Sequence, residues 1–348
     1  MEKFRVALSG DFRKLDGSPA YPDFDLGPLT SRSDIEVGYV QPKDGIMPAA
    51  DLAGYDALIL LTPRFARSSV PPDGRLAMVA RFGVGYDNVD LDACNANGIA
   101  AVITPDGVRR PVAVTIITYI LALSQKLAIK DRICRQGPSG WAQRSSFMGE
   151  GIVGKTLGQL GIGNIGAEVF RLAKPFDMRF LAHDPYADRN VAKELGIELV
   201  DMDELFARSD FVSISVPLSD ATRHLVSDRL LGLMKPTAYL INTARGPIVD
   251  QVALYRVLRD RRIAGAALDV FEIEPAPADE PILQLDNVIV TPHSLCWTDQ
   301  CFAGIGAADV AACLAMAKGE VPRGIVNRTI VDDAAWKAKL ERLAKRAA

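Results

Sequence analysis

The sequence predicts an α/β protein of two doubly wound parallel-sheet domains around a cleft. Three observations carry that expectation. Short aliphatic runs alternate with polar or helix-patterned segments along most of the chain, which is the rhythm of strand–crossover–strand units. The rhythm occurs as two series separated near residue 110. At 348 residues the chain also exceeds the length over which one core keeps growing.

The first series comprises RVALS at 5–9, IEVGYV at 35–40, ALILLT at 57–62, LAMVARF at 76–82 and IAAVIT at 99–104. Between its first two runs, DFRKLDGSPAYPDFDLGPLTSRSD is rich in Pro, Gly and Asp and reads as a long surface loop with room for a helical turn. After Pro111, VAVTIITYILAL at 112–123 is the longest apolar run; it is too short to cross a bilayer and reads as a buried helix. RQGPSGWAQRSSFMGEG then forms a turn-rich stretch with an exposed Trp141. The second series runs from Lys155 to Pro292 as LGQLGIG, MRFLAHD, FVSISVP, AYLINTA, AGAALDV and NVIVTPH. A helix over 300–318 and the basic tail WKAKLERLAKRAA follow the completed second sheet, so they are expected to return to the first domain. The expected division is 1–109 completed by 300–348, and 110–299.

Composition narrows the function classes. With 49% hydrophobic and 24% charged residues the chain has an ordinary globular balance, and a net charge of −3 without a basic block offers nucleic acid no footprint. No membrane partner is expected either. Five cysteines, at 94, 134, 296, 301 and 313, form no CxxC pair, which speaks against a disulfide framework and a zinc site; no metal is expected. The opening MEKFRVALSGDF passes straight into a strand and then charge, without the pattern of a signal peptide, so a cytoplasmic location is expected.

TLGQLGIGNIGAEVFRLAKPFDMRFLAHDP sets Gly161, Gly163 and Gly166 at a strand-to-helix junction. The first glycine permits a tight turn, the second lets backbone approach a pyrophosphate, and the third lets helix and sheet pack closely; the helix N-terminus then faces the phosphates. Glycines also serve bare turns, but strand, helix, second strand and acid stand here in order. Asp184, eighteen residues beyond Gly166, is placed to accept hydrogen bonds from a ribose. A carboxylate there repels a 2′-phosphate and favours NAD over NADP, with Arg189 nearby leaving the other open.

Four further stretches, GVGYDNVD at 83–90, INTARGPIVD, GAALDVFEIEP and VIVTPHSLCW, together resemble the D-isomer-specific 2-hydroxyacid dehydrogenases over about Asp56 to Asn327. The resemblance implies a flavodoxin-like substrate domain, a Rossmann NAD domain, and hydride transfer between nicotinamide and a small D-2-hydroxy acid or 2-oxo acid. By motif, the catalytic arginine falls on Arg245, its acid on Glu274 and the acid/base histidine on His293. A guanidinium can fork onto the substrate carboxylate and polarise the carbonyl, an imidazole can exchange the proton near pH 7, and a carboxylate can orient it. The backbone around Val84 and Gly85 corresponds to the family's carboxylate cradle, Asp269 to the partner of the nicotinamide carboxamide, Asn164 and Ile165 to the pyrophosphate, Thr243 and Ala244 to the nicotinamide, and Val216 and Pro217 to the adenosine. The arm around Trp141 resembles a dimerisation loop and implies a homodimer.

Blander roles exist for each residue. Arg245 could be a surface ion pair, Glu274 a solvated acid, and Asp269 a carboxylate satisfying backbone donors in a buried turn. A capping role before the last helix would favour Ser294 over His293. His183 and His224 read as structural, and the cysteines as small apolar fillers, with Cys296 near enough to be oxidation-sensitive. The chain departs from the family where Ser294, Leu295, Cys296 and Trp297 follow the histidine and where Val112-Ala113-Val114 opens the interdomain helix. Trp297 is therefore expected to bound the substrate side chain, with Arg64, Arg109 or Arg110 meeting a second anionic group. Formate dehydrogenases carry glutamine where Glu274 stands. An NADH-sensing scaffold of the C-terminal binding protein type, without significant turnover, is the alternative from another class. With nothing beyond residue 348, serine feedback of the long phosphoglycerate dehydrogenase type is not expected.

Overall fold

The computed structural model describes residues 2–347. Both expected parallel sheets are present, in two compact units: one runs to Val108 and resumes at Trp297, the other is Arg109–Cys296. In the first unit β1 (Phe4–Ser9), β2 (Ile35–Val40), β3 (Ala57–Leu60), β4 (Met78–Arg81) and β5 (Ala100–Val102) pair in parallel in the order β2-β1-β3-β4-β5. That is the flavodoxin-like order. In the second unit β6 (Thr156–Leu160), β7 (Arg179–His183), β8 (Ile197–Leu199), β9 (Phe211–Ile214), β10 (Tyr239–Asn242), β11 (Gly265–Leu268) and β12 (Val288–Val290) give β12-β11-β10-β9-β6-β7-β8. Strand order reverses between β6 and β9, as in a Rossmann sheet with one strand added.

The second sheet is apolar on both faces, which is why its strands read as near-continuous aliphatic runs. Along β10, Leu240 enters one cluster with Val212, Leu254 and Leu258, while Tyr239 and Ile241 enter the opposite one with Ile116, Ile120 and Phe170. The strand β8 has no counterpart among the six aliphatic runs of the second series. It is a three-residue edge strand with only Ile197 buried, so it carries too little apolar signal to stand out.

Helix Pro105–Ser124 begins six residues before Pro111, which lies inside it and not ahead of it. Proline lacks the N–H that would bond the Gly107 carbonyl, so the sequence signal for a boundary there was reasonable. Helices Pro105–Ser124 and Asp299–Ala317 are each long and apolar enough to cross a membrane, contrary to the length inferred from the 112–123 run, yet half of each apolar window is buried inside the protein. Ala113, Ile116, Tyr119, Ile120 and Leu123 belong to a sheet-face core.

In the first unit, the long loop after β1 is pinned by Phe12 and Phe24, whose rings meet each other and Phe82 at the end of β4. The C-terminal helix Ala334–Ala347 belongs to this unit, held by fully buried Trp336, whose indole donates to the Ala77 carbonyl. Arg342 and Arg346 reach the buried Asp56 carboxylate, which Arg75 also grips.

Candidate active site

The three motif glycines have three different surroundings. Gly161 takes φ +90°, and a β-carbon on it would stand 2.9 Å from both the Ser215 carbonyl oxygen and Val216 Cγ1. A β-carbon on Gly166 would stand 2.2 Å from the Gly161 carbonyl oxygen, whereas one on Gly163 would meet nothing within 4 Å. The turn thus threads under Val216, folds on itself and presents open space at its middle glycine. Helix Asn164–Ala173 starts there with Gly163 as its N-cap and no side-chain cap, leaving the first-turn N–H groups of Asn164, Ile165 and Gly166 for a ligand. Asp184, at the end of β7, accepts from the Ile162 amide at 2.9 Å and the Tyr186 amide at 2.8 Å. Val216 and Pro217 follow β9 at the point where strand order reverses. An uncapped helix end, a glycine cradle that a side chain would fill and a carboxylate at the next strand end together fit a dinucleotide.

Three adjacent strands, β10, β11 and β12, deliver the remaining groups at their carboxyl ends. Arg245 lies in the turn after β10 with Thr243 and Ala244, all three partly buried. Asn242 braces that turn, accepting from the Ala244 amide at 3.0 Å and donating to the Arg245 carbonyl at 2.9 Å. Gly246 packs its α-carbon against the peptide joining Phe271 to Glu272; a β-carbon there would stand 1.9 Å from the Phe271 carbonyl oxygen. Neither Asn242 nor Gly246 was singled out in the sequence, although INTARG contains the one and RGP the other.

Glu274 and His293 meet directly, Oε2 to Nδ1 at 2.7 Å, and the other carboxylate oxygen accepts from the Phe271 amide at 2.9 Å. Burial pushes the Glu274 carboxyl up, but the hydrogen bond and charge of His293, the Phe271 amide and the Arg245 charge outweigh it and hold the group below the usual range. His293 has φ +52°, a left-handed conformation that few residues with a β-carbon adopt. FEIEP holds two glutamates, and the structure separates them: Glu272 pairs with His224 at 2.7 Å. His183 bonds the Val200 carbonyl at 3.0 Å.

Asp269 is buried and its Oδ1 accepts from the Thr291 hydroxyl, the Ser294 amide at 3.0 Å and the Leu295 amide at 3.2 Å. The bland role thus exists in this side chain. Helix Asp299–Ala317 is capped by Thr298, which accepts from the Cys301 amide at 3.1 Å, and not by Ser294. Arg110 is engaged with Glu168 at 2.5 Å. Val84 and Gly85 follow β4 in the first unit, and Trp297 also lies there, although the expected 110–299 division would have placed it in the second, edge-on to Tyr21 and Phe302 at 5.5 and 5.4 Å. Tyr21 and Phe302 stack at 4.2 Å, and this aromatic packing carries Trp297 with the first unit. Among the described residues no group of three His, Cys, Asp or Glu could hold a metal.

Fold and site define a dinucleotide-dependent α/β enzyme. The model of the D-isomer specific 2-hydroxyacid dehydrogenase NAD binding domain matches residues 117–294. Glyoxylate reductase of Korarchaeum cryptofilum is 38% identical over 79% of this chain and 84% of its own. D-3-phosphoglycerate dehydrogenase of Methanocaldococcus jannaschii is 36% identical over 84% of this chain, a match that spans 56% of that longer protein. The structure of D-lactate dehydrogenase from Aquifex aeolicus, complexed with NAD and lactic acid, superposes with a TM-score of 0.76 and 29% identity, covering 90% of this chain and 96% of its own. The chain belongs to the D-isomer-specific 2-hydroxyacid dehydrogenase family. It is an NAD-dependent D-2-hydroxyacid dehydrogenase.

Proposed function

We propose that the chain interconverts a small 2-oxo acid and its D-2-hydroxy acid with His293 as proton carrier, Glu274 as its orienting partner and Arg245 as the carboxylate clamp. The observation that carries this is the 2.7 Å contact between His293 Nδ1 and Glu274 Oε2. A carboxylate only accepts, so Nδ1 carries a hydrogen toward it and Nε2 is the ring atom that serves the substrate oxygen. Bound NADH supplies the hydride to the substrate carbon in reduction. His293 gives its Nε2 proton to the oxygen as charge develops there and takes one back in oxidation. The Glu274 carboxylate, itself fixed by the Phe271 amide, keeps the imidazole from rotating and balances its positive charge. Arg245 offers a planar fork for the substrate carboxylate.

Gly161, Gly163, Asn164, Ile165 and Gly166 are assigned to the pyrophosphate, Asp184 to the adenosine ribose, Val216 and Pro217 to the adenosine, and Thr243, Ala244 and Asp269 to the nicotinamide. Support comes from the open middle glycine, the uncapped helix and the Asp184 carboxylate, whose charge favours NAD over a 2′-phosphorylated cofactor. A homodimer through the 127–153 arm is supported by exposed Leu127, Trp141, Met148 and Val153. Five cysteines, odd in number and without a CxxC pair, suit a reducing, cytoplasmic compartment.

The test is NADH oxidation with glyoxylate, hydroxypyruvate, pyruvate, phenylpyruvate and phosphohydroxypyruvate. At least one should turn over, and His293→Ala should lower kcat by about 10²–10⁴ while NADH binding persists. NADH binding without turnover of any acid would instead favour a sensing scaffold.

A further inference from the structure

Tyr119 sits in the C-terminal half of helix Pro105–Ser124, almost fully buried in an apolar sheet-face cluster, and its hydroxyl finds a partner in Thr291 Oγ1. Thr291 is the first residue past β12, held beside β11 by its amide bond to the Leu268 carbonyl at 3.0 Å. That register sets its hydroxyl on Asp269 Oδ1, the oxygen that also accepts the Ser294 and Leu295 amides. With the carboxylate accepting, Thr291 donates to Asp269 and accepts from Tyr119, so one buried line of donors runs from the helix to the acid. His293 lies between the two ends of this clamp. Its amide closes onto the Thr291 carbonyl at 3.0 Å, and its left-handed backbone is unfavourable for a residue with a β-carbon, a conformation that persists only when its surroundings over-determine it.

We propose that Tyr119, Thr291 and Asp269 are positioning residues for His293: the hydroxyl chain and the shared carboxylate oxygen fix both flanks of the histidine, so that the left-handed backbone presents Nδ1 to Glu274. This rests on the reading of His293 as proton carrier. It gives Asp269 a task for one oxygen that is independent of any cofactor contact, and it gives the long helix a polar foothold in the catalytic loop that its apolar pattern conceals. Removal of the threonine hydroxyl leaves the size of the side chain unchanged but cuts the line at its middle.

The experiment compares Thr291→Val, Tyr119→Phe and Thr291→Ser with the parent protein in two independent measurements. The first is the imidazole Cε1–H resonance at fixed pH without substrate, tractable because the chain has three histidines, with His183 and His224 as internal references and His293→Ala for assignment. The His293 signal should shift or broaden in Thr291→Val and Tyr119→Phe, stay near the parent position in Thr291→Ser, and leave the other two signals in place. The second is steady-state kinetics: kcat should fall on the order of ten- to a hundredfold in Thr291→Val, with KM for NADH within about twofold, and recover in Thr291→Ser. An unmoved His293 resonance in both hydroxyl-deleted variants overturns the proposal, as does a change that moves all three histidine signals together with the melting temperature. Parent-like turnover by His293→Ala would overturn the proton-carrier reading separately, since the resonance experiment needs no turnover.

Discussion

Glu274 shows how a single carboxylate can be specified by its contacts. It is about a third exposed, at 35%, so its charge is screened, but its two oxygens have separate partners in His293 and the Phe271 amide. Replacing it with glutamine keeps the shape and loses the charge; kcat should fall on the order of 10²-fold, with NADH affinity retained, in a side-by-side kinetic and fluorescence titration. Because the folded group is held below its ordinary value of 4.5, its stabilising contribution is complete above that pH and is lost as pH falls through the folded value. The difference in melting temperature between parent and Glu274→Gln should therefore be level at neutral pH and shrink in acid. Gly246 matters for a different reason. A methyl group there would collide with the Phe271–Glu272 backbone, which cannot swing aside as a side chain could, so Gly246→Ala should cost about 1–3 kcal/mol of stability and lower kcat by displacing Arg245 and Glu274 together. Parent-like unfolding curves would show that this loop pair has slack.

At the level of elements, the junction between the long helix and the glycine-turn helix depends on a buried acid. Glu168, in helix Asn164–Ala173, is 9% exposed at its side chain and bonds Arg110 at 2.5 Å and Arg171 at 3.4 Å. The hydrogen bond from Arg110 holds its carboxyl below the usual range against the opposing effect of burial. Glu168→Gln should destabilise the second unit by about 1–2 kcal/mol at neutral pH, the measure of a charge-assisted bond whose arginine partner stays in water. The sign with pH follows from the lowered value: the loss should be full above about 4.5 and fade as pH drops through the folded value, as urea unfolding at pH 7 and pH 4 would read. A loss equal at both pH values would mean that packing, not charge, secures the helices.

For the molecule as a whole, the first unit is closed by residues from opposite ends of the chain. Trp336 in the last helix is fully buried, and Lys339, one turn on, donates to the carbonyls of Leu76, Asn97 and Gly98. Trp336→Ala should cost about 3–5 kcal/mol. It should also speed thiol labelling of Cys94, which burial now pushes up to about 12, toward the rate of exposed Cys134. Unchanged labelling would show that the helix covers nothing essential. The exposed apolar side chains of the 127–153 arm set a further expectation for the proposed homodimer: the parent should run as a dimer in light scattering after gel filtration and Trp141→Glu as a monomer, and equal masses for the two would remove this arm from the proposal.

The sequence by itself determined the two parallel sheets, the glycine turn and the three strand ends that carry Arg245, Glu274 and His293. Those features are periodic or local: a strand buried on both faces must be aliphatic, a tight turn needs glycine, and a histidine just past a strand end stands out in a chain that has three. Edge strand β8 and the true start of the long helix were less legible, because a three-residue strand with only Ile197 buried and a tolerated proline give weak local signals. Only the tertiary structure decided that the other glutamate of FEIEP, Glu272, pairs with His224, that Gly246 seats the Arg245 turn on the Phe271–Glu272 backbone, and that Tyr119 and Thr291 reach Asp269. Such contacts join residues up to 172 positions apart, and no spacing along a chain encodes them until sheet register and packing bring the partners within hydrogen-bonding distance.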